Sequence, residues 1–138
     1  MRKAGNARAI VGLCVVGLFV SAACSPSEGP EATAQSFIEQ YYIHPHLPKA
    51  KALAYGLARR KIEEEEGLIR EVTRGTGAAD REVSYSLHET RKMGEAKIFY
   101  VYDITISVDH RLMKKRATIA TGRTIEGWRV TNFHETDI

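Results

Sequence analysis

The feature that most restricts the fold is an apolar stripe in the second half of the chain. Every second residue from 98 to 108 is aliphatic or aromatic: Ile98, Tyr100, Tyr102, Ile104, Ile106 and Val108. Successive side chains of a β-strand point to opposite faces of its sheet, so this spacing predicts a strand with one apolar face and one polar face. A strand of this kind is typical of an antiparallel sheet that is covered on one side.

Three further segments repeat this alternation: one that starts at Arg81, one from Arg116 to Thr121, and one from Trp128 to Phe133. The links between the four segments carry turn residues, such as the Gly94, Asp109 and Gly127 positions. Short turns between consecutive strands make an antiparallel meander. The sequence therefore predicts four strands in chain order with one apolar face that needs a cover.

Two helical segments precede the strands. Pro30 to Ile43 has apolar residues at helical spacing, and Pro30 suits the first helical turn. A second pattern runs from Pro48 towards Thr73, and a straight helix of that length would span about 39 Å, so we expect a break near Gly67 or Gly56. The prediction is a single α+β domain, residues 30–138, in which N-terminal helices pack on a curved four-stranded antiparallel sheet.

The first 23 residues have the three parts of a secretory signal: a basic start, a 12-residue apolar run from Ala9 to Val20, and small residues before Cys24. This segment resembles a bacterial lipoprotein signal. The resemblance implies a signal peptide at 1–23, lipid on Cys24, and a polar tether over 24–29. Ser25 after the lipid site resembles an outer-membrane sorting signal, so we expect a lipid-anchored protein of the bacterial cell envelope that faces the periplasm.

Removal of the signal changes the charge argument. The chain has 20 basic and 17 acidic residues, and the excess of three equals Arg2, Lys3 and Arg8 of the signal. The remaining 17 charges of each sign give no basic excess, which argues against a nucleic-acid partner. Cys14 leaves with the signal and Cys24 is the lipid site, so the folded part is predicted to have no disulfide.

The order of elements and two local motifs resemble one superfamily. A front helix of the type PEATAQSFIEQYY precedes a meander that ends in TIEGWRVTNF, Thr124 to Phe133. This arrangement resembles the NTF2-like (cystatin-like α+β cone) superfamily, including small secreted lipoproteins. The resemblance implies a sheet curved around a pocket. Members include ketosteroid isomerases and dehydratases, and many others are binding or assembly modules, so the fold alone does not give the function.

Candidate site residues follow from side-chain chemistry. We predict a shallow binding pocket lined by Tyr41, Tyr100 and Trp128, aromatic residues with polar tips. Strand parity places Asp103 on the outer face of the sheet, away from that pocket and from a catalytic role. His44 and His46 flank a proline and are interpreted as part of a loop that ends the helix. No metal, cofactor or catalytic residue is predicted.

The glutamates of the acidic run from Glu63 to Glu66 have basic residues four positions away, as in the expected pair Lys61–Glu65. We interpret the run as a solvated helix face, with an acidic docking patch as the alternative. The leading functional hypothesis is a non-enzymatic binding or accessory module of the envelope. It would pair with a second copy through the outer sheet face, which is predicted to carry Phe99, Val101 and Phe133. The alternatives are a small isomerase or hydrolyase that acts on an apolar molecule, and an assembly subunit of a secretion complex.

Overall fold

The computed structural model describes residues 29–72 and 81–138. The signal peptide and Cys24 lie outside these residues. Helix α1 spans Pro30–Ile38 and continues as a π-helical turn over Glu39–Ile43, α2 spans Leu47–Ala52, and α3 spans Leu57–Val72. Within the described residues, no helix combines the length and the apolar character that crossing a membrane requires.

The four predicted strands are confirmed. They are β1 (Arg81–Met93), β2 (Lys97–Val108), β3 (Arg111–Thr124) and β4 (Gly127–Asp137). They form one antiparallel sheet in the order β1-β2-β3-β4. Strands β3 and β4 are longer than the sequence patterns indicated, because their exposed ends continue the ladder of backbone pairs.

The apolar stripe of β2 faces the helices and forms the centre of the core. Ile104 is 1% exposed and Tyr102 is 3% exposed. Across the strands, Tyr100 is opposite Ile119 of β3, and Ile119 is opposite Phe133 of β4. The inner face of the sheet and the apolar sides of α1 and α3 therefore share one hydrophobic core. This arrangement confirms the predicted α+β class.

The predicted break in the second helical segment occurs at Gly56, whose φ of +58° suits glycine. Gly67 lies inside α3. The link between α2 and α3 pairs with β4: the Val130 N–H donates to the Leu53 carbonyl, and the Tyr55 N–H donates to the Val130 carbonyl, both at 2.8 Å. This short parallel bridge covers part of the β4 edge.

The predicted position of Phe133 was wrong. The register of β3 and β4 shifts between Ala120 and Thr121, where Ala120 pairs with Asn132 and Thr121 with Val130, so Thr131 is an extra residue in β4. Such a bulge reverses the inward and outward alternation of the residues beyond it. Phe133 consequently points into the core, where it is 8% exposed and its ring centroid lies 5.1 Å from that of Phe37.

Candidate functional site

An aromatic and acidic cluster joins α1, α3 and β4 on the inner side of the sheet. The Tyr41 ring stacks on Phe37, with centroids 5.4 Å apart, and its centroid lies 4.9 Å from that of Phe133. The Tyr41 hydroxyl donates a hydrogen bond to the Glu65 carboxylate of α3. Burial and this hydrogen bond raise the pKa of Tyr41 above its ordinary value.

The neighbouring tyrosine has no such bond. Tyr42 is 4% exposed, and its hydroxyl has no hydrogen-bond partner among the described residues. Burial, followed by the negative charge of Glu135, raises the pKa of Tyr42. Lys115 Nζ lies 2.7 Å from Glu135 Oε1, and this bond raises the pKa of Lys115.

The chemistry of this cluster follows from those pKa directions. Both phenols keep their protons at neutral pH, so Tyr41 and Tyr42 are hydrogen-bond donors rather than bases. The Tyr41 proton is already donated to Glu65. The Tyr41 ring packs against Phe37 and Phe133, and the Tyr42 ring packs against Tyr41, so both lie at the hydrophobic core. The contacts therefore favour a structural role in which the cluster fixes α1 against α3.

An open cleft of about 580 Å³ lies between the start of α1 and the adjoining ends of β1 and β2. Its walls include the following residues: Gly29, Pro30, Gln35, Thr90, Lys92 and Tyr100. Tyr100 is 4% exposed, and burial, with a smaller effect from Glu31, raises its pKa. The cleft offers a lysine and an amide beside an apolar floor.

The three residues predicted to line one pocket take three different positions. Tyr100 lines the cleft beside α1, and Tyr41 lies in the aromatic cluster with Phe133. Trp128 is opposite Arg123 at the beginning of β4 and packs, partly buried, against the core. A single pocket lined by Tyr41, Tyr100 and Trp128 together stays a prediction.

Asp103 lies on the outer face of the sheet, as strand parity predicted. Arg116 of β3 donates to both of its carboxylate oxygens, at 2.7 and 3.2 Å, and His88 Nδ1 lies 3.2 Å from Oδ2. The hydrogen bond from Arg116 lowers the pKa of Asp103. A carboxylate held in this way is a poor general base, because catalysis of that kind needs a pKa near the working pH.

His46 has a local structural role. The His46 Nδ1 atom accepts a hydrogen bond from the Lys49 N–H at 3.2 Å, which caps the start of α2. No group of three or more His, Cys, Asp or Glu side chains in the described parts of the chain is placed to hold a metal ion.

The acidic run is divided between solvent and protein. Glu63 and Glu64 are exposed, whereas Glu65 accepts from Tyr41 and Glu66 lies 2.6 Å from Lys51 Nζ. The expected partner of Glu65, Lys61, instead donates to the Asn132 side chain and the Phe133 carbonyl.

The sequence contains an indication that Glu65 faces the protein, although Glu65 belongs to a run of four glutamates. Glu65 follows the buried Ala58 by seven residues and the buried Ile62 by three, which is the spacing of one helix face. Charge pairing within the helix predicted a partner for Glu65 in α3 itself. In the structure Glu65 instead contacts Tyr41, which lies outside α3.

Neither a protein-family model nor a curated protein sequence matches this chain. Solved structures that are similar to it include the two that follow. A ketosteroid isomerase-like protein from Erwinia carotovora atroseptica superposes with a TM-score of 0.56 at 12% identity, over 79% of this chain and 93% of that one. A domain of unknown function with a cystatin-like fold from Nostoc punctiforme superposes with a TM-score of 0.57 at 10% identity, over 81% of this chain and 79% of that one.

The fold is NTF2-like, or cystatin-like. At this level of identity the likeness concerns the fold, and an NTF2-like fold accommodates several functions. The function has to be argued from the side chains of this chain.

Proposed function

We propose that the protein is a lipid-anchored component of the bacterial cell envelope that acts as a non-enzymatic binding module. The lipid would be attached to Cys24, and the NTF2-like domain would stand close to the bilayer, with the outer membrane as the expected location. The proposal combines the lipoprotein-like signal at the front of the chain with the packing of the domain.

The observation that carries the non-enzymatic part is the burial of the side chains between the helices and the sheet. The helices and the inner sheet face meet through large side chains that are less than 2% exposed: Phe37, Ile38, Ile62, Ile104, Ile119 and Val130. An NTF2-like enzyme would hold an apolar substrate in this region. Interiors packed in this way gain their stability from the contacts that a bound substrate would replace.

The outer sheet face is the surface proposed for binding, and a second copy of the chain is the proposed partner. Phe99 is half-buried on this face, whereas its neighbours Val101 and Ala120 are already buried at 4% and 3% exposure. The charges around this patch are compensated within the face, as in the pair formed by Asp103 and Arg116. A partly accessible aromatic side chain surrounded by polar groups is compatible with a protein–protein interface, where aromatic residues are enriched. Phe133, which was expected here, lies in the core.

Photo-crosslinking in living cells tests this proposal. A photoreactive amino acid would replace Thr118, which is opposite Val101 on the outer face, and in a control variant it would replace Glu64, which is exposed on α3. The expected result is a membrane-bound product of twice the mass of the chain, formed at position 118 and not at position 64.

The outcomes separate the alternatives. A product with a different envelope protein at position 118 would favour the assembly-subunit hypothesis over self-pairing. A protein that crosslinks at neither position would contradict the proposed binding face. That result would favour the isomerase or hydrolyase hypothesis.

A further inference from the structure

We propose that one end of the sheet rests on a bilayer surface that carries anionic phospholipid headgroups. This surface, here called the turn end, consists of residues 92–97 around the β1–β2 turn and residues 123–127 around the β3–β4 turn. The inference rests on the anchoring through Cys24 proposed above, and it adds the orientation of the domain on the membrane.

The start of α1 lies at the turn end. Gly29 and Pro30 line the same cleft as Lys92 and Ile98, which are opposite each other next to the β1–β2 turn. The β3–β4 turn adjoins them, because the Arg123 N–H donates to the Ala96 carbonyl at 3.1 Å. In a four-stranded meander the first and third turns lie at one end of the sheet and the second turn at the other.

The length of the tether limits how far this end can stand from the lipid. Ser25 to Gly29 separate Cys24 from Pro30, and a fully extended chain of this length spans at most about 20 Å. Strand β2 has 12 residues and is about 40 Å long. The turn end is consequently the part of the sheet that the anchor holds near the bilayer.

The tips of both turns expose apolar side chains. Ile125 is 97% exposed and Met93 is 63% exposed. The two turns are separated by about two strand spacings, or roughly 10 Å, so both tips can meet one flat surface. Contact with the interfacial region of a bilayer would remove these side chains from water, which is favourable for apolar surface.

Basic side chains surround the two apolar tips. Lys92, Lys97 and Arg123 are all exposed at the turn end. Of the acidic residues there, Glu126 lies 3.7 Å from both Arg59 and Arg129, and Glu95 is exposed. Apolar tips surrounded by an excess of lysine and arginine suit a membrane surface with anionic headgroups.

The opposite end of the sheet provides a matched control. It also exposes apolar side chains, since Leu112 is 63% and Met113 is 46% exposed near the β2–β3 turn. It lies a whole strand length from the start of α1. Apolar exposure is therefore shared by both ends, whereas proximity to the tether belongs to the turn end.

Trp128 allows a direct measurement, because it is the single tryptophan of the chain and lies three residues after Ile125. The full chain would be produced in a bacterium that processes lipoproteins, purified in detergent and reconstituted into vesicles of phosphatidylethanolamine and phosphatidylglycerol. Lipids brominated near the headgroup quench a tryptophan that approaches the surface. The wild-type protein is expected to lose Trp128 fluorescence in these vesicles.

Two double variants locate the contact. Met93→Asp with Ile125→Asp is expected to abolish the quenching while the protein stays on the vesicles through its lipid. Leu112→Asp with Met113→Asp is expected to leave the quenching at the wild-type level. Circular dichroism of each variant checks that the fold is retained. A third double variant, Lys97→Glu with Arg123→Glu, reverses the charge of the turn end and is also expected to lose the Trp128 quenching.

The outcomes keep this inference separate from the proposed anchoring. Membrane-bound protein without Trp128 quenching, or equal losses in the variants of both ends, would overturn the orientation and leave the anchor intact. Wild-type protein that stays in the soluble fraction as the Cys24→Ser variant does would overturn the anchor, and the orientation with it.

Discussion

At the scale of single residues, the adjacent tyrosines of the π-helical turn after α1 show how different two neighbouring phenols can be. The Tyr41 hydroxyl donates to Glu65, whereas the buried Tyr42 hydroxyl has no partner among the described residues. A buried polar group without a hydrogen bond lowers stability, and a bonded one contributes to it. The two hydroxyl groups should consequently have opposite effects on the free energy of unfolding.

Removing each hydroxyl tests this difference. Tyr41→Phe is expected to lower the free energy of unfolding by about 1 kcal/mol, because Glu65 loses its donor. Tyr42→Phe is expected to leave the free energy unchanged or to raise it by up to about 1 kcal/mol. Urea denaturation of both variants measures the two values, and the reverse order would contradict the described contacts.

The bond between Asp103 and Arg116 makes a prediction about pH. The pKa of Asp103 in the folded protein lies below its ordinary value of 3.8, so its contribution to stability is present above that pH and is lost on further acidification. Asp103→Asn should therefore destabilise the protein near neutral pH and have no effect in strong acid.

Denaturation of the wild type and of Asp103→Asn over a range of acidic pH measures this effect. Asp109→Asn in the exposed β2–β3 turn is the matched control. It makes the same chemical change at an aspartate that is not paired with Arg116. A destabilisation by Asp103→Asn that is as large in strong acid as at neutral pH would contradict the ion pair.

At the scale of elements, the sequence predicted the strands of the sheet and their order, because alternation and turn residues are local properties. It also predicted the inward stripe of β2 and the outward position of Asp103. The bulge at Thr131 was missed, because strict alternation from Val130 places Phe133 on the opposite face, and Phe133 was therefore assigned to the wrong face. The Tyr41–Glu65 contact depends on how α1 and α3 pack, which local periodicity does not specify.

The bulge in β4 also explains why residue 122 is glycine. A Cβ atom on Gly122 would lie 2.8 Å from Thr131 Cγ2, closer than side chains tolerate. Gly122→Ala is expected to lower the free energy of unfolding by about 1–3 kcal/mol through overpacking. Adding Thr131→Ser removes the Cγ2 atom and keeps the hydroxyl that donates to the Ala120 carbonyl, so the double variant should recover most of the loss.

Gly67 in α3 serves as the control for that measurement. A Cβ at this position meets nothing within 4 Å, so Gly67→Ala should raise the free energy of unfolding by about 1 kcal/mol through helix propensity. Thermal or urea unfolding of the wild type and the three variants gives the comparison. Equal effects of alanine at positions 67 and 122 would contradict the described packing around the bulge.

At the scale of the whole molecule, tyrosine side chains buried between the helices and the sheet make the stability of the domain depend on pH. Burial is the largest cause that raises the pKa of Tyr41, Tyr42 and Tyr102 above 10. The unfolded chain ionises its tyrosines near pH 10, so this stabilisation is complete below that pH and is lost as the pH rises further. The protein should consequently unfold in alkaline solution.

Absorbance of tyrosinate and circular dichroism, followed together as the pH is raised, measure this alkaline transition. The ionisation of the three buried phenols is expected to coincide with the loss of the circular dichroism signal. Complete ionisation of all tyrosines with an intact native signal would contradict the buried positions of these three side chains.

The central claim is that this compact NTF2-like domain is held at a membrane by lipid on Cys24. Growth of producing cells with a palmitate analogue that carries an alkyne, followed by coupling to a fluorophore, tests it directly. The account predicts labelled wild-type protein in the membrane fraction and unlabelled Cys24→Ser protein that is released from it. Wild-type protein that is recovered without label would contradict the account.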